Sequence, residues 1–456
     1  MNQESAVVVG GGICGLVAAL LLKKNYKEVT IIEQSTEVGG LFRSVSDSEG
    51  VRYDMGSHIP NSTGIDDIDS LLFPKNEIEK NWNVIPELKS GNYFFGSWDL
   101  ESPFPDGRKI DPAHYATACG ELVGLADLSS NPLIYYYCLE TLGPIFTHTI
   151  ILPILQKLYG QNVDYKSLTM DAGLFGFTRI LALPRDVAAK LKELPAFDAK
   201  LGYQNKTDFL LRMQREPRIS PTYFYPNGNK SVECLISILK DQIHEQGIVI
   251  RTSTSVDKIN VEGTEVKSIA LNEVAEAVKC DLLFWSAPPF LALKAMDIPT
   301  PASKVVLRTA VIFHLNFDLA LLDTQSHYLW VWEHSTSIFR LTLYPNLHGS
   351  VKYNNLSVEI LCAPNEVDQF IVEDIVKELQ DMGIVSEQAA LISHVKQIEH
   401  NTFPVPTTAF SQNSKYNYDK LCESVDNIIV SGRYGGKCWR QADVLVDAYN
   451  SIKAIE

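Results

Sequence analysis

The chain of 456 residues is long enough to form two or three domains with substantial hydrophobic cores. Hydrophobic residues make up 45% of it and charged residues 21%, which is typical of a soluble globular protein. The net charge of −15 argues against a general affinity for nucleic acid or for anionic lipid, because both repel an acidic surface.

The cysteines and the first residues predict a location in the cytoplasm. Eight cysteines occur without CxxC or metal-ligand spacing, which indicates reduced thiols and no bound metal. The opening stretch MNQESAVVVG has neither a basic region nor a long apolar run, so we expect no secretory signal.

The first predicted elements are a strand, a helix and a second strand. Residues 6–10, AVVVG, are short and β-branched, which suits a parallel strand buried on both faces. Residues 13–25, ICGLVAALLLKKN, carry apolar side chains at helical spacing, and residues 28–34, EVTIIEQ, indicate the second strand. This βαβ order predicts an α/β fold that begins with a Rossmann-like domain and a parallel sheet.

Three glycines between the first strand and the helix follow the GxGxxG pattern. Gly10 permits a tight turn, Gly12 lets a pyrophosphate approach the backbone, and Gly15 lets the helix pack closely on the strand. The helix N-terminus adds N–H donors and the positive end of a dipole. Glu33 ends the second strand, where it can accept hydrogen bonds from ribose hydroxyls and repel a 2′-phosphate. The unit therefore predicts a dinucleotide with a plain ribose.

A second glycine-rich segment follows directly. It reads QSTEVGGLFRS at residues 34–44, and YDMGSHIPNST follows at residues 53–63. The combined run GGGICG…IIEQSTEVGGLFRS…YDMGSHI resembles a flavoprotein group that includes amine oxidases, protoporphyrinogen oxidases, phytoene desaturases and UDP-galactopyranose mutases. The resemblance extends over most of the chain, and it implies FAD as the cofactor.

By this resemblance the N-terminal segments supply many of the FAD contacts. Those around the first glycine motif and the ribose are Gly10, Gly12, Ile13, Cys14, Gly15, Glu33 and Gln34. Those along the pyrophosphate and ribityl chain are Gly39, Gly40, Leu41 and Arg43. The DxGxH stretch passes the isoalloxazine ring with Gly56, Ser57 and His58. His58 is a candidate catalytic residue, and the alternative is a histidine that only braces its loop.

Residues 110–215 are predicted to form a helical wall of the substrate site. Glu140 and His148 interrupt their most apolar segment, residues 133–160, so we predict a buried, kinked helix pair and no transmembrane segment. A peripheral membrane contact of this segment remains an alternative. Resemblance to the mutase and protoporphyrinogen oxidase branches implies that Arg179 faces the pocket, which makes it the second candidate catalytic residue.

The middle of the chain returns to the cofactor domain. After an aromatic-Pro turn and a helix, the resemblance brings Val256 to the adenine through its backbone. The run CDLLFWSAPP at residues 280–289 resembles the strand that ends near the adenine at Ser286 and Ala287.

Four alternating apolar runs within residues 305–363 predict a sheet that covers the flavin. The substrate domain is therefore α+β, with a mixed or antiparallel sheet. The predicted FAD-binding domain is discontinuous, at residues 1–75, 216–300 and 420–456, and the substrate-binding domain takes residues 76–215 and 301–419.

The segment DNIIVSGRYGGKCWRQADVLVDAYNSIKAIE predicts a strand, a glycine turn and a helix. In the group that it resembles, the strand delivers GR.G to the pyrophosphate, and the helix N-terminus points at the flavin. The implied FAD contacts are Gly432, Arg433, Gly435, Asp443 and Val444. Cys438 follows the turn, whereas amine oxidases with covalent flavin carry a cysteine before the closing strand, so we expect non-covalent FAD.

Three functions remain open. The first is an FAD-dependent oxidoreductase in which a small-molecule substrate gives a hydride to flavin N5. The second is a mutase-like enzyme that acts on a sugar nucleotide without net redox change. The GSHIPNS loop, Arg179 and GRYG favour it, but KCWRQAD replaces the paired tyrosines expected after GR.G. The third is a binding module in which FAD is structural. The substrate, the electron acceptor and the oligomeric state do not follow from the sequence.

Overall fold

The computed structural model describes residues 3–215, 221–272, 274–301, 305–349, 352–435 and 437–455. Its strands in chain order are β1 Gln3–Val9, β2 Tyr26–Ile32, β3 Ser44–Ser46, β4 Arg52–Asp54, β5 Trp82–Ile85, β6 Ser90–Phe94, β7 Ser97–Asp99, β8 Tyr223–Pro226, β9 Val249–Arg251, β10 Val256–Glu262, β11 Glu265–Leu271, β12 Val274–Lys279, β13 Leu282–Trp285, β14 Leu307–Phe317, β15 Tyr328–Val331, β16 Ile338–Leu343, β17 Asn354–Cys362, β18 Leu391–Pro404 and β19 Ile428–Val430. Its α-helices are α1 Ile13–Leu22, α2 Asp66–Leu72, α3 Lys75–Asn81, α4 Pro112–Gly124, α5 Ile134–Leu142, α6 Pro144–Phe146, α7 Leu152–Tyr159, α8 Arg185–Leu191, α9 Pro195–Lys200, α10 Lys206–Arg215, α11 Glu233–Glu245, α12 Pro289–Ala295, α13 Tyr344–His348, α14 Val372–Asp381, α15 Thr408–Ser424 and α16 Gln441–Lys453.

A five-stranded parallel sheet carries the predicted nucleotide motif, in the order β19-β13-β1-β2-β9. β1 is its middle strand, and Val7 and Val8 are buried in separate hydrophobic clusters on its two faces. The predicted βαβ unit and the strand buried on both faces are therefore confirmed. The sheet draws its strands from residues 3–32, 249–285 and 428–430. The domain boundaries given above remain a prediction.

Helix α1 is buried on all sides. Every residue from Cys14 to Leu22 is buried, and the helix contacts both α11 and α16 as well as the sheet. This explains its sequence, because a helix enclosed on all sides has no polar face. The position of its N-terminus is consequently fixed against the sheet.

The apolar segment 133–160 forms α5, α6 and α7, joined by a π-helical turn at Thr147–Ile151. Gly143, with φ +87°, separates α5 from α6. The prediction of buried, kinked helices is confirmed. Across the part of the chain that the structure describes, no helix combines the length and the apolar character that crossing a membrane requires.

A seven-stranded sheet has the order β18-β14-β17-β16-β15-β6-β7 and is antiparallel except for the β15–β6 pair. The four runs predicted within residues 305–363 are β14 to β17. On one face Phe313 and Val358 pack with Leu379 of α14 in a hydrophobic cluster. The strand β18 and the helix α15 were not predicted from the sequence.

Candidate functional site

Three strand ends meet at one edge of the parallel sheet. Gly10 follows β1, Ser286 follows β13, and Gly432 follows β19. The Ser286 hydroxyl donates to the Val9 carbonyl at 2.8 Å. A Cβ on Gly10 would lie 2.2 Å from Ser286 Oγ, and one on Gly432 would lie 3.1 Å from the Ser286 carbonyl oxygen. The sites predicted from distant stretches of sequence are therefore in contact.

The first glycine motif builds a turn with an open face. Gly10 has φ +105°, and a Cβ on Gly15 would lie 1.9 Å from the Gly10 carbonyl oxygen, so helix and turn touch at backbone level. Gly12 is the N-cap residue of α1, and no atom lies within 4 Å of the place where its Cβ would be. The roles predicted for Gly10 and Gly15 agree with this geometry, and the space at Gly12 is compatible with a ligand.

Glu33 directly follows β2 beside this turn. Its carboxylate accepts the N–H of Gly11 at 2.6 Å through Oε2 and the N–H of Ser35 at 2.8 Å through Oε1. Each carboxylate oxygen has further lone pairs, so these bonds leave acceptor capacity. Gln34 is exposed. Gly11 was not among the predicted residues, although its N–H fixes the orientation of Glu33.

The second glycine pair lies directly on the first motif. The Gly39 N–H donates to the Gly11 carbonyl at 2.8 Å, and a Cβ on Gly40 would lie 3.3 Å from Cα of Gly12. Leu41 continues in a 3-10 turn, and Arg43 Nε donates to the Gly40 carbonyl at 3.1 Å. The pair thus extends the same cradle.

Side chains also join the start of α1 to the last strand and helix. Cys14 is buried and hydrogen-bonds to Ser431, and burial raises the pKa of its thiol to about 12. The Ser431 hydroxyl donates to Asp447 of α16 at 2.7 Å. Ile13, the first residue of α1, is half-buried. Sequence reasoning missed Ser431 and Asp447, because nothing in the local pattern marks them.

Arg433 lies in the closing turn after β19. Its guanidinium carbon is 3.7 Å from the centroid of the Trp439 ring, and its Nε is buried without a hydrogen-bond partner among the described residues. Burial and the charge of Arg340 lower its pKa to about 10. A buried cationic donor without a partner is costly, which makes this nitrogen a ligand-binding candidate.

The remaining predicted cofactor contacts lie in the closing turn, in α16, after β13 and in β10. Gly435 ends the 3-10 turn that starts at Arg433 and is buried. In α16, Asp443 is exposed in the first turn and Val444 is buried. Ala287 follows Ser286. Ala287 and Val256, the first residue of β10, both pack against one hydrophobic cluster of the five-stranded parallel sheet.

The DxGxH loop leaves β4 at Asp54, which is completely buried. Asp54 accepts hydrogen bonds from the Tyr225 hydroxyl at 2.6 Å and from the Val232 N–H at 2.9 Å. These two bonds lower its pKa, but burial has the larger effect and raises the pKa to about 7. Gly56 has φ +99°, and the Ser57 N–H donates to Glu359 Oε1 at 3.1 Å. Asp54 and Glu359 therefore anchor the two sides of this loop.

His58 stacks on Phe42 with ring centroids 5.5 Å apart. Its ring is partly accessible but enclosed on most sides. The loss of solvent around the ring, together with the charges of Arg433 and Arg340, lowers the pKa of His58 to about 3. A hydrogen bond with the Met55 backbone opposes the shift. His58 is therefore a neutral imidazole near two guanidinium groups at ordinary pH.

An ion pair on the seven-stranded sheet completes the site and was missed from the sequence. Arg340 of β16 donates to Glu359 of β17 through Nε at 2.7 Å and through Nη2 at 2.6 Å. Arg340 also lies 5.4 Å from the ring centroids of Trp330 and Phe339. The only available signal was a charged residue in each of two apolar strands, SIFRLTLYP and LSVEILCA.

Aromatic rings line the space beside this ion pair. Phe175 contacts Trp330, Phe339 and Phe403 with centroids 5.4 to 5.7 Å apart. Phe403 in turn meets Trp439 at 5.4 Å, which is the ring that lies on Arg433. A continuous aromatic wall therefore runs from the sheet to the closing turn.

The structure does not bring Arg179 into this group. Its Nη1 donates to the backbone carbonyls of Asp198 and, at 3.4 Å, Leu201, and its guanidinium lies 5.8 Å from the Tyr203 ring. It lines a separate cavity of about 410 Å³. No contact between described residues links Arg179 to His58, so its catalytic role remains a prediction that this geometry does not support.

Known proteins resemble this chain in sequence and in fold. The sequence model of a family described as NAD(P)-binding Rossmann-like domain matches residues 8–68. The 1-hydroxycarotenoid 3,4-desaturase of Flavobacterium sp. (strain P99-3) is 23% identical over 291 residues. This match covers 61% of the present chain and 57% of the desaturase. The chain thus spans little more than half the length of that relative.

Solved structures are similar over the whole chain. Reduced UDP-galactopyranose mutase superposes with a TM-score of 0.73 at 17% identity, over 100% of this chain and 95% of that chain. A proposed protoporphyrinogen oxidase from Exiguobacterium sp. gives a TM-score of 0.65 at 16% identity, over 100% of this chain and 99% of that chain. At these identities the likeness concerns the fold. It confirms, at the level of the fold, the resemblance drawn from the glycine motifs, and the chain has the fold that these two proteins share.

Proposed function

We propose that this chain is an FAD-dependent oxidoreductase that takes a hydride from a small-molecule substrate. The observation that carries the proposal is the convergence of both glycine pairs, Ser286 and Arg433 at one edge of the parallel sheet. In open α/β sheets, dinucleotides bind outside the carboxyl ends of the strands. Bound FAD would supply the hydride acceptor at N5 of its ring.

The chain's own residues fit such a cofactor. The open space at Gly12 admits a pyrophosphate, and the α1 N-terminus directs N–H groups towards it. Glu33 would hold the ribose, and Arg433 would donate its unpaired Nε to a phosphate or ribityl oxygen. Gly39, Gly40, Leu41 and Arg43 would extend this contact. We expect non-covalent binding, because Cys438 follows the closing turn, whereas amine oxidases with covalent flavin carry a cysteine before the closing strand.

His58 would act as a neutral group. With a pKa of about 3 its imidazole carries no charge at neutral pH, so it can orient a substrate by hydrogen bonding but does not supply a cation. Positive charge beside the His58 ring comes from Arg340 and Arg433 instead. Charge that develops during reduction would be stabilised by these two guanidinium groups.

A second candidate is a mutase-like enzyme that acts on a sugar nucleotide without net redox change. The specific observation in its favour is that two arginines lie near His58. The charges of Arg340 and Arg433 both lower the pKa of His58, and Arg340 also lowers the pKa of Arg433. Two neighbouring cations suit an anionic group such as a diphosphate. The likeness to the mutase supports this candidate at the level of the fold.

The test begins with the purified protein, which should be yellow and should release FAD on treatment with acid or heat. Amines, porphyrinogens and sugar nucleotides are then mixed anaerobically with it while the flavin absorbance is recorded. An oxidoreductase bleaches the flavin with its substrate, whereas a mutase turns over only after the flavin has been reduced beforehand. Correctly folded, colourless protein that takes up no FAD would refute both candidates.

A further inference from the structure

The seven-stranded sheet has a buried polar face opposite the one that packs on α14. His314, Ser357 and Glu359 lie on this face and are 0 to 5% exposed. His314 bonds to Ser357 at 2.7 Å and to Gln397 at 2.8 Å. The Tyr344 hydroxyl lies 2.8 Å from the Ser357 hydroxyl and accepts the Asp54 N–H at 3.2 Å. The polar face is thereby tied to the strand that precedes the DxGxH loop.

Glu359 is the charged member of this face that reaches the loop itself. Its carboxylate binds Arg340 through two hydrogen bonds, a bidentate geometry that fixes the orientation of both side chains. Its Oε1 also accepts the Ser57 N–H, and its Oε2 lies 3.4 Å from where a Cβ on Gly56 would be. One buried carboxylate therefore joins a sheet residue and a loop residue.

The same carboxylate balances charge beside His58. Arg340 and Arg433 both disfavour protonation of the His58 ring, and Arg340 lowers the pKa of Arg433. Glu359 is the carboxylate that the structure pairs with Arg340. Without it, Arg340 would lose its paired carboxylate, and the loop would lose an acceptor.

We propose that Glu359 is a positioning residue. It holds the Gly56–His58 loop against Arg340, and it sets the charge beside the proposed site of the flavin ring. The part that concerns the ring rests on the proposed FAD-dependent function, whereas the attachment of the loop does not. Both parts follow from the bonds of one side chain, and separate substitutions distinguish them.

Attachment of the loop is measured by hydrogen exchange of a peptide that covers residues 55–62, in protein stripped of cofactor. Glu359→Ala removes the acceptor of the Ser57 N–H and should raise exchange about tenfold to a hundredfold, the effect of losing one hydrogen bond to a charged acceptor. Glu359→Asp keeps the charge but withdraws the carboxylate, and it provides the same test, with a smaller increase, if the alanine variant fails to fold. Unchanged exchange in the folded variants overturns the proposal.

Glu378 of α14 provides the matched control. It is a partly buried glutamate that accepts the Thr336 hydroxyl at 3.1 Å, and it belongs to the helix that packs on the opposite face of the sheet. Glu378→Ala should leave exchange of the loop at its original rate. If it accelerates the loop as much as Glu359→Ala does, the effect is general destabilisation and the proposal is wrong.

Charge is tested with Glu359→Gln, which keeps an acceptor oxygen and removes the negative charge. Loop exchange should rise less than it does in Glu359→Ala, because the amide oxygen still accepts the Ser57 N–H. The flavin potential should rise by about 30 mV, which corresponds to a tenfold change in the ratio of oxidised to reduced flavin for a two-electron couple. An unchanged potential overturns the electrostatic part. If no variant and no parent protein binds FAD, the proposed function fails, but the exchange result still decides whether Glu359 holds the loop.

Discussion

Substitution of Gly15 by alanine tests the closest backbone contact of the site. The added Cβ would lie 1.9 Å from the Gly10 carbonyl oxygen, whereas ordinary contact begins near 3.4 Å. The start of α1 would therefore have to move by about 1.5 Å, judged from the spacing of ordinary contacts in a close-packed interior. Such overpacking costs about 1–3 kcal/mol, and it outweighs the gain of up to about 1 kcal/mol that alanine brings to a helix.

A matched control lies in α4. Gly120 is also within a helix, but it is exposed and no atom lies within 4 Å of the position of its Cβ. Gly120→Ala should therefore stabilise the protein by about 0.5–1 kcal/mol through helix propensity alone. Gly15→Ala should destabilise it and also weaken FAD binding, because the displaced α1 N-terminus carries the phosphate donors.

Both variants are compared by urea unfolding followed through tryptophan fluorescence, and FAD affinity is measured by titration of the flavin-free protein. Opposite signs of the two changes in midpoint would support the packing argument. If Gly15→Ala proved as stable as Gly120→Ala and bound FAD with unchanged affinity, the close approach of helix and turn would play no part in the site.

Three further predictions concern single side chains. Glu33→Ala should weaken FAD binding about tenfold to a hundredfold, since a hydrogen bond to a charged group is worth roughly 1.5–3 kcal/mol, and an unchanged dissociation constant would exclude Glu33 as the ribose ligand. His58→Ala should slow flavin reduction per bound flavin while FAD stays bound, and normal reduction kinetics with loosened FAD would indicate a bracing role instead. Burial raises the pKa of Asp54 from 3.8 to about 7, so the folded protein binds this proton more tightly than the unfolded chain. Stability should therefore fall as pH rises between about 4 and 7, by roughly 4 kcal/mol at most. Asp54→Asn should flatten that fall in urea unfolding at several pH values, and an unaltered slope would show that Asp54 does not titrate there.

The glycine-rich edge of the parallel sheet was predictable because the sequence patterns that mark it are local. Gly10 and Gly432 lie in turns that directly follow a strand, and Gly15 lies in the first turn of α1. At each of them a side chain would collide with backbone or with Ser286, and short apolar patterns reveal the neighbouring strands and helix. Glycine restrictions of this kind act within a few residues, so they are readable without a structure.

The other half of the site depends on register across the sheet. Arg340 faces Glu359 only because β16 and β17 pair with that alignment, and a shift by one residue would turn one of the side chains to the opposite face. No local pattern specifies this pairing. Arg179 is a different case. The resemblance implied that it faces the pocket, but its guanidinium donates to the backbone carbonyls of Asp198 and Leu201.

The strand order of the parallel sheet also bears on biosynthesis. β1 is flanked by β2, which follows closely in sequence, and by β13, which is itself flanked by β19 near residue 430. Ribosomes add about 5–20 residues per second, so β1 waits tens of seconds for its neighbour β13 to emerge. Until β13 emerges, a nascent chain therefore presents an unpaired β1 edge, and such edges invite aggregation. The proposed nucleotide site would need β19 and the turn after it, and we expect expression yield to depend on chaperones that shield this edge.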